Sequence, residues 1–244
     1  VSRAKAQNLR VVLDVHNYAR YYGKRIGTPE TPVAVFADFW SNLAAEFKDD
    51  DAVVFGLMNE PNGIDADDWA DAAQAGLNAI RATGARNLVL VPGTAYSGAH
   101  SWNSTWYGGT SNGEALLAIT DPANRIAFEA HQYLDADYSG TSGECQSEQI
   151  GAQKLQGFTD WLRRHNKQGF LGEFGVGSGP VCLSALEAML DHIQSNADVW
   201  LGWTYWAGGA WWKQDYPFNV QPDKSGTQKA QMLVLSKQAR QVAD

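Results

Sequence analysis

The sequence predicts an α/β fold of the TIM (β/α)8 type, incomplete, with six βα units. Three observations carry this reading. Short apolar runs, several of them β-branched, alternate with amphipathic stretches along the chain, the mark of a parallel sheet covered on both faces. Several runs end in a polar residue able to do chemistry, as barrel strands do at their C-terminal ends. The length, 244 residues, is close to the roughly 250 of one barrel, so a single domain over residues 1–244 is expected.

Strands are predicted at residues 10–15, 52–57, 87–91, 126–130, 168–172 and 199–205. Helices are predicted at 32–47, 66–82, 148–166 and 183–195, with a weaker one at 113–119 and a terminal one at 227–242. Residues 1–8 read as the end of a helix. Asp65 stands where an N-cap belongs, with Asp67 and Asp68 at the positive end of the helix behind it. Gly84 stands where a helix-ending glycine belongs. Residues 207–226, rich in aromatics and glycine, read as a substrate-facing loop. Six strands leave two sheet edges open; self-association into a homo-oligomer is the first expected cover, and a longer natural chain the alternative.

Composition narrows the partners. The net charge is −8 and 44% of residues are hydrophobic, enough for a sizeable core. No basic stripe is present, which argues against nucleic acid and for a neutral polymer or sugar. There are ten tryptophans and nine tyrosines; core filling is expected of most of the tryptophans, and stacking of the rest. No apolar run is long enough to span a membrane. The start shows no signal peptide, so the chain reads as mature, trimmed or cytosolic. Cys145 and Cys182 point to one disulfide in a secreted protein and to nothing in a cytosolic one.

Two glutamates hold the chemistry. Glu60 ends the run Val53-Val54-Phe55-Gly56-Leu57-Met58-Asn59-Glu60-Pro61, and Glu173 ends Gln168-Gly169-Phe170-Leu171-Gly172-Glu173. An ionised carboxylate beside buried apolar surface needs partners or work to do. Two of them at the tips of parallel strands suit cleavage of a glycosidic bond. Asn59 is placed to hold a sugar hydroxyl while its neighbour faces the scissile bond. His16 and His131 mark two further strand ends, whereas His100, His165 and His192 read as ordinary structural residues. There is no H-E-x-x-H, no cysteine-rich spacing and no G-x-S-x-G, so neither a metal site nor a serine nucleophile is expected.

The motifs Asp14-Val15-His16-Asn17-Tyr18-Ala19-Arg20, Asn59-Glu60-Pro61, His131-Gln132-Tyr133-Leu134-Asp135, Gly172-Glu173-Phe174-Gly175 and Gly202-Trp203-Thr204-Tyr205-Trp206-Ala207-Gly208-Gly209 resemble glycoside hydrolase family 5. The likeness is nearest to secreted endo-β-1,4-glucanases and runs in order through almost the whole chain. It implies a secreted, cofactor-free catalytic domain that hydrolyses internal β-1,4 bonds of cellulose or a related β-glucan with retention. Mannan, xylan or xyloglucan is the alternative substrate, and a non-catalytic carbohydrate-binding remnant the alternative role. Glu60 corresponds to the acid/base and Glu173 to the nucleophile. Asn59 corresponds to the ligand of the sugar 2-hydroxyl, His131 to the support of the acid/base, and Tyr133 to the hydrogen-bond donor to the nucleophile. His16 and Asn17 line the same subsite, and Trp206 stacks on its sugar. The resemblance also implies a disulfide between Cys145 and Cys182. Strands one and two of the family have no counterpart, and neither Arg3 nor Arg10 matches the arginine that strand two supplies beside the nucleophile.

Overall fold

The structure, a computed structural model, describes residues 1–241. Its internal contacts divide it into two units, Val1–Glu129 and a second that opens at Ala130. The first unit begins with α1 (Ser2–Lys5) and β1 (Val11–Asp14). A two-stranded hairpin follows, β2 (Arg20–Tyr21) and β3 (Lys24–Arg25), then α2 (Val33–Phe47), β4 (Val53–Gly56), α3 (Ala66–Ala82) and β5 (Val89–Pro92). Two 3-10 turns lead to α4 (Asn112–Ala115), a third continues it, and β6 (Ile126–His131) runs across the division. The second unit continues with α5 (Ile150–Arg164), β7 (Gly169–Glu173), α6 (Pro180–Ser195), β8 (Trp200–Trp203) and α7 (Gln231–Gln241). The main sheet has the strand order β1-β4-β5-β6-β7-β8. This is the expected TIM-type alternation, with six βα units.

In the first unit β1 pairs with β4 in parallel, Val11 opposite Val53 and Asp14 opposite Gly56. β4 pairs with β5, and β5 with β6, in the same sense. Every residue of β4 and β5 is buried, as strands covered on both faces must be. The cover is α2, through Phe36, Trp40 and Ala44, and α3, through Trp69, Ala73, Leu77 and Ile80. Two tryptophans also fasten strand ends: Trp40 Nε1 donates to the Leu57 carbonyl at 3.2 Å and Trp69 Nε1 to the Pro92 carbonyl at 2.7 Å. Asp65 caps α3, its Oδ1 accepting from the Asp68 N–H at 2.8 Å, and Gly84 takes φ +89° just beyond the helix.

In the second unit β7 pairs with β8 in parallel, with a shift in register between Gly169 and Leu171. α5 buries Leu155, Phe158, Trp161 and Leu162, and α6 buries Leu186, Met189, Leu190 and Ile193. Among the described residues no helix is long and apolar enough to cross a membrane.

Several expectations need correction. The predicted strand 199–205 stops at Trp203, where the ladder is already irregular. α6 starts at Pro180 rather than at 183, because proline fits the first helical position, where no N–H is needed. The weak helix at 113–119 is one turn of α-helix followed by the 3-10 turn Leu116–Ala118. The terminal helix starts at Gln231 rather than at 227; the end expected at residue 242 lies outside the described residues. The β2–β3 hairpin has no sequence signal, since two-residue strands are too short to show an alternation. Five of the ten tryptophans are buried, Trp40, Trp69, Trp102, Trp161 and Trp200, half rather than most.

The N-terminal ends of β5 and β6 are tied by a buried ion pair. Arg81, near the end of α3, makes a fork with Asp121 at 2.7 and 2.9 Å. Its remaining N–H groups donate to the carbonyls of Ala85, Asn87 and Arg125, just before β5 and β6. Burial alone would raise the Asp121 pKa, but Arg81 and the N–H groups of Arg125 and Ala123 outweigh it and hold the carboxyl below its ordinary value. Asp121→Ala strands the guanidinium in the interior, and a loss of about 3 kcal/mol is expected in urea unfolding at neutral pH. A carboxylate held low contributes fully above its unfolded pKa of about 3.9 and loses its contribution as pH falls through the lower folded value. The gap between Asp121→Ala and the parent should therefore narrow below about pH 4.

Candidate active site

In the first unit, Asp14 ends β1 and its carboxylate meets His16 Nδ1 at 3.0 Å on an exposed surface. The backbone between them keeps the β1–β4 pairing going past Gly56. The Asn59 N–H donates to the Val15 carbonyl at 2.8 Å, and the Tyr18 N–H donates to the Asn59 carbonyl at 3.1 Å. Asn59 is buried as a result, at 5% exposure. Glu60 is thus not the tip of β4: it lies four residues beyond Gly56 and takes φ +46°. A non-glycine residue there is strained and must be held by its surroundings.

Hydrogen bonds on both flanks do the holding. Asn62 Nδ2 donates to the Glu60 carbonyl at 3.2 Å, and Asn62 Oδ1 accepts from Arg20 at 3.0 Å. Arg25, on β3, donates to the Gly63 carbonyl at 2.8 Å. On the other flank the Tyr96 N–H donates to the Pro61 carbonyl at 3.1 Å. Asn17 turns its side-chain amide onto the Arg20 carbonyl, which fixes the start of the hairpin.

In the second unit, His131 is the last residue of β6 and is buried. Glu173 is the last residue of β7, and its carbonyl accepts from the Gln132 N–H at 3.0 Å. Tyr133 Oη donates to Glu173 Oε1 at 2.6 Å, the length of a strong, charge-assisted bond. The Tyr133 ring stacks on Phe218, with centroids 5.6 Å apart and 24° between planes.

Trp206 follows β8, its N–H donating to the Phe174 carbonyl at 2.8 Å. It meets Trp212 edge-on, and Trp212 stacks on Tyr216 with centroids 4.7 Å apart. Tyr216 meets Phe218 in turn, so aromatic contacts link Trp206 to Tyr133. Burial pushes the Tyr216 pKa up, and the Glu173 charge adds to the rise against a hydrogen bond with Trp206. Tyr216 and Phe218 carry no motif; the only advance signal was the aromatic content of residues 207–226. Of the other histidines, His192 lies 2.8 Å from Thr159 Oγ1, and burial lowers its pKa.

Cys145 and Cys182 are joined in a disulfide with Cα atoms 5.2 Å apart. Beside it two loops touch backbone to backbone: a Cβ on Gly177 would fall 2.1 Å from the Gly143 carbonyl oxygen.

The family model for Cellulase (glycosyl hydrolase family 5) matches residues 1–209. The chain belongs to glycosyl hydrolase family 5. It is 45% identical over 218 residues to Endoglucanase gh5-1 of Neurospora crassa, an alignment covering 89% of this chain and 53% of that protein. The chain therefore spans about half the length of that relative. Its fold superposes with a TM-score of 0.98 on the endo-beta-1,4-glucanase Xac0029 of Xanthomonas axonopodis pv. citri, at 56% identity, covering 100% of this chain and 77% of that one. XacCel5A, solved in complex with cellopentaose, superposes at 0.95 with 62% identity, covering 97% and 75%. In the first unit Asn59 stands three residues past the end of β4; in the second, His131 and Glu173 end β6 and β7 and Tyr133 lies two residues past β6.

Closing a ring of this size removes conformational freedom from the unfolded chain, by about 3–4 kcal/mol on the loop-entropy estimate. The Cys145→Ser/Cys182→Ser variant should lose about that much stability in denaturant titration, and the parent should fall to the same value under reducing conditions.

Proposed function

We propose that residues 1–244 act as one catalytic domain, a retaining endo-β-1,4-glucanase, with Glu173 as nucleophile and Glu60 as acid/base. The observation that carries the reading is the short bond from Tyr133 Oη to Glu173 Oε1. A phenol that donates to a carboxylate favours its ionised form and fixes the lone pair that attacks. The substrate is read from kinship: the 56% identical structural relative is an endo-beta-1,4-glucanase, and the 62% identical one was solved with cellopentaose.

In the first step Glu173 attacks the anomeric carbon while Glu60 protonates the departing oxygen. Water then attacks the glycosyl-enzyme, with Glu60 as base. Asn59 holds the 2-hydroxyl of the sugar under attack, and His131 supports the acid/base. His16 and Asn17 line the same subsite, and Trp206 offers its face to the sugar ring. The strained backbone at Glu60 fits the role, since a residue held off the common conformations cannot drift from its aim. The disulfide suits an oxidising environment, and we place the enzyme outside the cell.

Carboxymethylcellulose viscometry and proton NMR of the first product test this. The parent should thin the polymer quickly and release the β-anomer first. Glu173→Gln and Glu60→Gln should each cut kcat by at least about 10³-fold with the fold intact. Full activity in Glu173→Gln would remove the assignment, and an α-anomer as first product would replace retention by inversion.

A further inference from the structure

The Tyr133 ring stacks on Phe218, and Gly140 lies so close to the same ring that a Cβ there would sit 2.7 Å from three ring atoms. Gly140 is in the left-handed region, at φ +71°. Something must hold that loop against the ring, and Asp135 does. Its side chain is buried, at 3% exposure. Oδ1 accepts from the Gly140 N–H at 3.1 Å. Oδ2 accepts from the N–H groups of Thr141 and Ser142 at 3.0 and 3.2 Å, and from Ser139 Oγ at 3.3 Å. The Asp135 carbonyl also accepts from Gln146 Nε2 at 2.6 Å. The far end of the loop reaches Gly143, against Gly177, and then Cys145 of the disulfide.

We infer that Asp135 is a positioning residue for the hydrolytic reaction: its carboxylate folds residues 139–142 onto Tyr133, and so keeps the Tyr133 hydroxyl on Glu173. Three converging backbone N–H groups demand an acceptor-only side chain with both oxygens free. An asparagine in its place turns an NH₂ toward one of the oxygen sites and meets other donors there. The loop then opens, Tyr133 loses a wall, and the bond to Glu173 loosens. The inference rests on Glu173 being the nucleophile.

The test compares Asp135→Asn, Gly140→Ala, Tyr133→Phe and Asp135→Asn/Tyr133→Phe with the parent on a soluble aryl β-cellooligosaccharide. Folding is checked by circular dichroism, and crystal structures of the first two variants are determined. Asp135→Asn and Gly140→Ala should each lower kcat about tenfold, the scale of one charge-assisted hydrogen bond, with KM within about twofold of the parent. In the double variant Asp135→Asn should add nothing to Tyr133→Phe, because both remove the same contact. The crystal structures should show the Tyr133 hydroxyl moved off Glu173, whatever the activity. A folded Asp135→Asn that keeps the parent kcat, or keeps Tyr133 on Glu173, overturns the inference while leaving the nucleophile assignment untouched. Additive losses in the double variant overturn it too. An active Glu173→Gln instead removes the reading beneath it.

Discussion

Parallel pairing of the strands is the constraint on which the rest depends. A parallel ladder leaves the C-terminal ends of neighbouring strands on the same side, so whatever the loops carry there is gathered without further design. In the first unit the pairing of β1 with β4 does more than hold the sheet. It continues beyond Gly56, through the bond from the Asn59 N–H to the Val15 carbonyl. That extra pair sets Asn59 in a buried place and hands Glu60 to a backbone conformation its own residue type would not choose.

The two ends of the strands are managed by different physics. At the N-terminal side of β5 and β6, Arg81 and Asp121 gather three backbone carbonyls around one buried ion pair, an arrangement suited to permanence. At the opposite ends the fastenings are dispersed: backbone bonds, side-chain amides, single arginine donors, the Asp135 carboxylate and aromatic faces. Tyr133 is the clearest case in the second unit. Its ring packs against Phe218 and Gly140, and its hydroxyl donates to Glu173.

Much of this was legible in the sequence. The runs 52–57 and 87–91 are apolar at nearly every position, and they become the fully buried β4 and β5. The run before Glu173 leads directly into β7, which ends on that residue. The Asp65 cap and the 66–82 helix follow from local chemistry that tertiary contacts do not disturb. The rest depended on contacts distant in sequence. The left-handed turn at Glu60 is held by Arg20 through Asn62, forty-two residues away, and no local pattern announces it. Tyr216 and Phe218 stand in a loop without periodicity, and only the folded chain brings them to Trp212 and Tyr133. Asp135 closed a recognisable motif, but the N–H groups that give it work belong to residues five to seven positions later.

The disulfide has a topological consequence. The covalent ring it closes runs from Cys145 to Cys182 and contains the whole of α5 and β7, and so Glu173. A single backbone break anywhere inside that ring leaves one molecule, with both fragments still threaded through the same crosslink. From within the ring, it takes a second cut to free a piece. The strand bearing the carboxylate is thereby insured against the commonest injury of a proteolytic milieu, one clipped peptide bond.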